Sequence, residues 1–406
     1  MVAPRWTSLV AGAAAVVSMT LVSACSGAAT DASVAPGPAP APRQVEAPRE
    51  DVASALDDRD DASFPAPLID PDELISGGPP PDGIPALDEP LFERADQVDW
   101  LEDTEPVLSL TVEGETRAYP LRVMTWHEIV NDVVGGVPVA VTYCPLCSSG
   151  VAFERTVLDH GVLSFGTSGL LYADNLVMYD RQTESLWPQL TGEASIGDLT
   201  GTTLVAIPMG TVAWRDFIAA DPSALVLSQD TGFDRPYGTN PYSGYDDPQG
   251  ELLFGLPQDI DARLPVKERV VGVVDGSASV AVVRSSLVGR DPLELTVGRR
   301  RLVVWHQPGQ VSALDAGTIA GGADIGTVGV FVPLLDGERL HFDADGAGFR
   351  DLETGSRWDV LGRATAGPLQ GAELEPYRHL DTFWFAWASF HLDTAVLPSI
   401  DPTGES

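Results

Sequence analysis

A spaced pattern of residues occurs twice along this chain, and it limits the fold more than any other feature. Asp180-x-x-Thr183-x-Ser185-x-Trp187 returns without gaps as Asp351-x-x-Thr354-x-Ser356-x-Trp358. With one residue of slip, Gly192, Gly197 and Gly201 align with Gly362, Gly367 and Gly371. Each copy then runs to an aromatic helix, Trp214 to Leu227 in the first and Trp384 to Leu397 in the second. Any one such match arises by chance, but a shared Thr/Ser/Trp/Gly spacing is the mark of duplicated architecture. The expectation is a β-rich α+β protein of two tandem related lobes with short helices, at 91–265 and 266–398. Trp126-His127 aligns only loosely with Trp305-His306, because the spacing differs.

Within the first copy, Val107 to Val112 reads as a strand, Glu113-Gly114-Glu115 as a hairpin turn and Thr116 to Tyr119 as the partner strand. Pro120 suits a helix start. Leu121, Met124, Ile129 and Val130 then outline a short amphipathic helix ending near Gly135-Gly136. An apolar run, Val137 to Val141, follows as a buried strand and leads into Tyr143-Cys144-Pro145-Leu146-Cys147. Downstream the pattern is again β, so the Cys-x-x-Cys pair does not open a long helix. At a strand end such a pair has three physical uses: an exchangeable disulfide, half of a metal site, or a structural staple. Spacing fits all three. The second copy, aligned as Phe331 to Gly337, has no cysteine, which favours a special role in the first copy.

The N-terminus places these cysteines in a compartment. Residues Leu9 to Leu21 form an apolar stretch too short for a spanning helix. Val22-Ser23-Ala24-Cys25 then has the form of a bacterial lipoprotein signal, with lipid expected on Cys25. Acyl chains there would hold the protein on a membrane at the extracytoplasmic face of the cell envelope. From Ser26 to about Pro90 the chain is rich in Ala, Pro, Asp and Gly, and a disordered tether is expected over 26–90. Outside the cytoplasm, Cys144 and Cys147 face oxidising conditions, and a dithiol there is oxidised or metal-bound. A formal net charge of −35 argues against nucleic acid as a partner. Lys267 is the single lysine.

Several segments of the first copy together resemble one family. They include Trp126-His127-Glu128-Ile129-Val130-Asn131-Asp132, Val141-Thr142-Tyr143-Cys144-Pro145-Leu146-Cys147, and Phe165-Gly166-x-Ser168-Gly169-Leu170-Leu171-Tyr172. They continue through Asn175-Leu176-Val177-Met178-Tyr179-Asp180-Arg181, Ser185-Leu186-Trp187-x-Gln189 and the later Phe383-Trp384-Phe385-Ala386-Trp387. The resemblance is to the domain-of-unknown-function 3179 family of exported bacterial and haloarchaeal proteins. It implies a shared fold and the importance of these positions, and it carries no activity with it.

The chemistry candidates follow. Cys144 and Cys147 are the expected redox or metal-binding pair. His127, on the helix before the cysteine strand, is the expected third member, lowering a thiol pKa or ligating copper or zinc. Met124 and Met178 are possible thioether ligands, though core packing explains them as well. Tyr143, Tyr172, Asn175 and Gln189 are candidates to line a site for a small polar ligand. Tyr172 and Asn175 lie in the stretch between Phe165 and Asp180, which is longer than its counterpart between Phe342 and Asp351. Two functions are expected from these residues. One is a lipid-anchored envelope protein with a redox-active or metal-binding site, acting on a small molecule or an envelope protein. The alternative is an extracytoplasmic solute-binding or adhesion module in which the cysteines form a structural disulfide.

Overall fold

The computed structural model describes residues 53–346 and 348–398. The signal segment, Cys25 and the first part of the expected tether, 26–52, lie outside the described residues. Residues 53–90 do not behave as a tether. Ala55, Leu74, Ala86 and Leu87 are buried, and Ile75–Ser76 pairs with one edge of the hairpin at Leu170 and Leu171. Composition misleads here because a few well-spaced side chains, Leu56, Phe64, Ile69 and Leu74 among them, find an apolar surface around Val177 and Tyr179. Asp82 and Asp88 then anchor the segment on Arg181, at 3.1 and 2.7 Å.

The α+β expectation holds, with many short sheets and three short α-helices among the described residues. Both halves pass through the same succession. In the first, the hairpin Pro106–Val112 and Glu115–Pro120 leads to the helix Leu121–His127. A sheet of Ile129–Val134, Val137–Cys144 and Ser149–Glu154 follows, then a hairpin of Phe165–Tyr172 and Asn175–Asp180 flanked by Leu186–Pro188. The chain returns along Met209–Ala213 and the helix Trp214–Ala220 to the strand Leu225–Leu227, which pairs in parallel beside Glu115–Pro120. In the second half, Arg269–Asp275 and Ala278–Val283 form the first hairpin, and a single 3-10 turn, Arg284–Leu287, stands where the first helix was. Leu293–Val297, Arg300–Gln307 and Thr327–Val332 form the next sheet, and Phe342–Asp345 and Gly348–Asp351 the next hairpin, flanked by Arg357–Trp358. Leu380–Phe383, the helix Trp384–Phe390 and Ala395–Leu397 close it, again with a parallel last strand.

The repeated sequence pattern has one physical cause in both places. Asp180 accepts from Thr183 N at 2.7 Å and from the Trp187 indole at 3.0 Å. Asp351 accepts from Thr354 N at 2.6 Å and from the Trp358 indole at 2.9 Å. Ser185 Oγ and Ser356 Oγ each accept a backbone N–H at 3.0 Å, from Leu199 and Leu369. Gly197 (φ 112°) and Gly367 (φ 97°) pass so close that a Cβ would sit 2.7 Å from the Cα of Ser185 and of Ser356. An aspartate that collects a turn amide, a hydroxyl and an indole N–H fixes a buried tryptophan under a tight turn.

Two expectations near the cysteines are corrected. The helix stops at His127, and Ile129–Val134 is a strand rather than the helix's second half. Glu128 takes a φ of +60°, which turns the chain out of the helix, and the residues that follow pair in antiparallel register with the cysteine strand. Strand register also moves the counterpart of the cysteine motif. Cys144 pairs with Ser149 as Gln307 pairs with Thr327. The counterpart of the cysteine turn is therefore the long connection 308–326, not Phe331 to Gly337, and His306 stands where Tyr143 does.

Candidate functional site

The cysteine strand Val137–Cys144 is central in its sheet and buried from Val139 onward, as its unbroken apolar run requires. It ends in a tight turn in which Ser148 N donates to Pro145 O at 3.1 Å and Ser148 adopts a φ of +54°. This turn returns Cys147 to the same buried cluster as Cys144. Both are free thiols and both are buried, at 1% and 0% exposure. The second half holds the turn in place: Phe383 N and Thr382 Oγ1 both donate to Cys147 O, at 3.0 and 2.8 Å.

The longer hairpin supplies the next layer. Tyr172 pairs with Asn175 across a two-residue tip, Ala173-Asp174, in which both residues have positive φ, 51° and 58°. Such tips are normally solvated and favour glycine or asparagine. This one is inserted into the protein, with Ala173 at 1% and Asp174 at 0% exposure. The Cys147 thiol donates to the Asp174 carbonyl at 3.4 Å, and Asn175 Nδ2 donates to the Cys147 sulfur at 3.4 Å. Asn175 Nδ2 also donates to Gln189 Oε1 at 3.0 Å, while Gln189 Nε2 donates to Thr142 Oγ1 at 3.0 Å. Ser149 Oγ donates to the same Gln189 oxygen at 3.2 Å. This polar floor fixes the turn from below without placing a formal charge against the sulfurs.

One buried carboxyl, that of Asp174, belongs to the residue whose carbonyl accepts from Cys147, and a second, Glu128, is buried where the helix before the cysteine strand ends. Asp174 Oδ2 accepts from the Tyr245 hydroxyl at 3.1 Å, and its Oδ1 is buried with no partner. Burial pushes the Asp174 carboxyl up to about 7, against the pull of Tyr245 and Lys267. Burial alone pushes Glu128, at the strained end of the helix, up to about 8. Burial also drives the Cys147 thiol well above its ordinary value, with Cys144 and Asp174 adding to the effect. The Asp174 carboxyl thus changes charge near neutral pH beside a Cys147 thiol that burial keeps protonated.

A segment with no strand or α-helix, 228–268, roofs the site. It lays Tyr242, Tyr245, Leu252 and Phe254 onto the cluster that contains both cysteines. Lys267, the single lysine, is 2% exposed; its Nζ sits 3.8 Å over the Tyr245 ring and donates to Tyr245 O at 2.7 Å. Connections this long without regular structure are uncommon in compact proteins and commonly serve as covers over sites.

Of the residues singled out from sequence, the structure brings Cys144, Cys147, Asn175 and Gln189 together. Tyr143 is buried on the strand just before them. Tyr172 faces away and packs edge-on against Phe390, with ring centroids 5.8 Å apart. His127 does not join the cysteines. Its Nδ1–H donates to Pro85 O at 2.8 Å and its Nε2 accepts from the Tyr237 hydroxyl at 2.5 Å, so both nitrogens are occupied. Among the described residues no three His, Cys, Asp or Glu side chains are grouped to hold a metal ion, and the side chains present do not fit the copper or zinc site expected from Cys144, Cys147 and His127. Met178 is core packing on Trp187, its register partner in the sheet. Asp174, Glu128 and Tyr245 were missed. Only Asp174 had a sequence signal, since it occupies the tip of the hairpin that is longer than its counterpart.

A family model described as a protein of unknown function, DUF3179, matches residues 81–394. The chain belongs to the DUF3179 family. No curated protein and no solved structure matches it. The DUF3179 match begins at Pro81, before the first long strand, and so takes in Asp82 and Asp88, the two aspartates that clamp Arg181.

Proposed function

We propose that this DUF3179 protein is a lipid-anchored component of the cell envelope whose Cys144–Cys147 pair cycles between dithiol and disulfide. The observation that carries this reading is a pair of free thiols in one buried cluster, with Cys147 bonded to the backbone of Asp174, whose buried carboxyl has one unpartnered oxygen. A thiol in a dry site cannot ionise unless its proton has an acceptor, and Asp174 is that acceptor. In the oxidising direction, Cys144 gives up its thiol proton and attacks one sulfur of a small disulfide, expelling the other half as a thiolate that takes up that proton. Cys147 then gives its proton to Asp174 and attacks the Cys144 sulfur of the mixed disulfide. The second half leaves as a thiol, and the substrate disulfide is reduced to two thiols while the protein gains one disulfide. The burial of both sulfurs favours a small disulfide or thiol over a folded protein.

The two halves are read as tandem copies, a reading supported by the shared succession of elements and the paired Asp–Thr–Ser–Trp networks. The lipid anchor is supported by the Val22-Ser23-Ala24-Cys25 pattern. Cys25→Ala is expected to move the protein from the membrane to the soluble fraction; retention on the membrane would remove the anchor from the account.

Equilibration of the folded protein in glutathione and dithiothreitol buffers, followed by acid quench, alkylation and mass measurement, tests the redox reading. A reversible two-electron transition is expected at a potential more oxidising than about −300 mV, the region of inert staples. Cys144→Ser removes it. A pair that stays reduced, or stays oxidised, across the whole range refutes the cycle.

A further inference from the structure

We infer that a cavity of about 300 Å³ between the two halves binds a small carboxylic acid with an apolar body. Neither cysteine lines it. Val151, Leu190, Ile207 and Met209 wall it from the first half, and Trp387 and Phe390 close it from the second. The volume sits at the lower end of small-molecule sites and suits a single ring or a short chain.

A flat wall is built into the fold. Gly272 has no side chain, and a Cβ there would lie 2.1 Å from the Trp387 ring, so the indole rests directly on the strand Arg269–Asp275. The Trp387 indole N–H donates to Thr394 Oγ1 at 2.9 Å, which fixes the plane of the ring. His391 lies on the same indole, with ring centroids 4.0 Å apart. Arg378 and His379 sit just before the strand Leu380–Phe383, and His391 just after the helix Trp384–Phe390, so the two ends of one strand–helix unit meet at the cavity.

Charge selects the ligand class. Arg378, His379 and His391 line the cavity and no Asp or Glu does. The chain carries 59 acidic residues against 24 Lys and Arg, so a recess lined by bases alone runs against its composition. A larger cleft of about 680 Å³, bordered by the 308–326 connection, is different: five carboxylates there already oppose Lys267, Arg269 and Arg284. Arg378 is exposed and has no ion pair or side-chain hydrogen bond among the described residues. The half-buried His391 ring also lacks a hydrogen-bond partner there, and its nitrogens keep accessible surface. Burial, with Arg378 alongside, holds this imidazole down at about 4, so at pH 7 it is neutral and still offers one N–H. His379 donates through Nδ1–H to Tyr377 O at 3.0 Å, which leaves Nε2 an acceptor with no part in the pairing. One permanent cation with a neutral donor beside it matches one carboxylate, whose two oxygens suit the guanidinium fork. An ammonium meets Arg378 with nothing to offset it. Inorganic phosphate leaves the apolar walls unfilled.

Calorimetry on the full folded protein at pH 7 with benzoate and hexanoate, and with benzamide, benzylamine and inorganic phosphate as comparators, tests the inference. At least one of the two carboxylates is expected to bind saturably and tenfold or more tighter than every comparator. Arg378→Gln, a change at an exposed side chain, and Val274→Trp, which fills the cavity from an exposed strand position, are each expected to weaken that binding tenfold or more. Unfolding temperatures check that both variants are folded. No binding of either carboxylate would overturn the inference. A comparator that binds as tightly as the carboxylates, or carboxylate binding that survives Arg378→Gln, would overturn it equally.

Discussion

Two hairpins occupy the same place in the two halves, and an aspartate near the tip of each has been pushed in opposite directions. In the first, Phe165 pairs with Asp180 and the arms run on to Asp174, which is sealed inside with its carboxyl raised to about 7 by burial. In the second, Phe342 pairs with Asp351 and the arms stop short at Asp345, which meets Arg350 at 2.7 Å and Arg357 at 3.0 Å. There the hydrogen bond from Arg350 holds the carboxyl below its ordinary value. The framework is shared, down to the Asp–Thr–Ser–Trp network at the hairpin base. What differs is reach. The longer arms carry their aspartate under Tyr245 and against Cys147, and the shorter ones leave theirs half-buried between two arginines. The same divergence separates the two connections at the ends of the central strands. The cysteine turn closes tightly and buries two sulfurs, while 308–326 opens and borders a cleft. One framework thus provides a dry place for chemistry in one half and a polar recess in the other.

The largest effect that would break this comparison comes from Asp174→Asn. The carboxyl's folded pKa lies above its unfolded value near 4, so the folded state binds the extra proton. Stability contributed by the neutral acid is complete below pH 4 and is lost as pH rises through about 7. Asp174→Asn is therefore expected to leave thermal stability unchanged at pH 4 and to raise it by about 2 kcal/mol or more at pH 8. Equal effects at both pH values would mean that the tip is solvated. Asp345→Asn sharpens the contrast with the opposite sign: its carboxyl is held below the unfolded value, so its contribution is present above the unfolded pKa and lost as pH falls, and the variant is expected to be slightly less stable at neutral pH and unchanged in acid.

A smaller effect tests the shared framework itself. Gly197→Ala and Gly367→Ala each place a methyl against a serine backbone at positive φ, and each is expected to cost about 1–3 kcal/mol. Denaturant unfolding should give similar losses for the two. A loss confined to one would show that the paired turns are not equivalent.

The sequence carried the repeat because its Asp, Thr, Ser, Trp and Gly each meet a local demand at fixed spacing. The cysteine strand was legible for the same reason, as an unbroken apolar run. The extra hairpin length was also visible, although the role of Asp174 was not, since an Ala-Asp tip ordinarily faces water. It lies against Tyr245, which arrives from an irregular segment with no periodicity to read. His127 looked close to Cys144 along the chain, but the strained turn at Glu128 and the hydroxyl of Tyr237 decide where its ring goes. The segment 53–90 was hidden by composition, because a handful of anchoring side chains outweighs many prolines once a matching surface exists.

The most direct test of the central claim is the pH dependence of oxidation of the reduced protein by 2-hydroxyethyl disulfide, a small neutral oxidant, in wild type and Asp174→Asn. If Asp174 takes the proton from Cys147, the wild-type rate rises through an inflection near pH 7, as that carboxyl ionises, and the variant lacks this inflection. Matching profiles with the same inflection in both proteins would contradict the account.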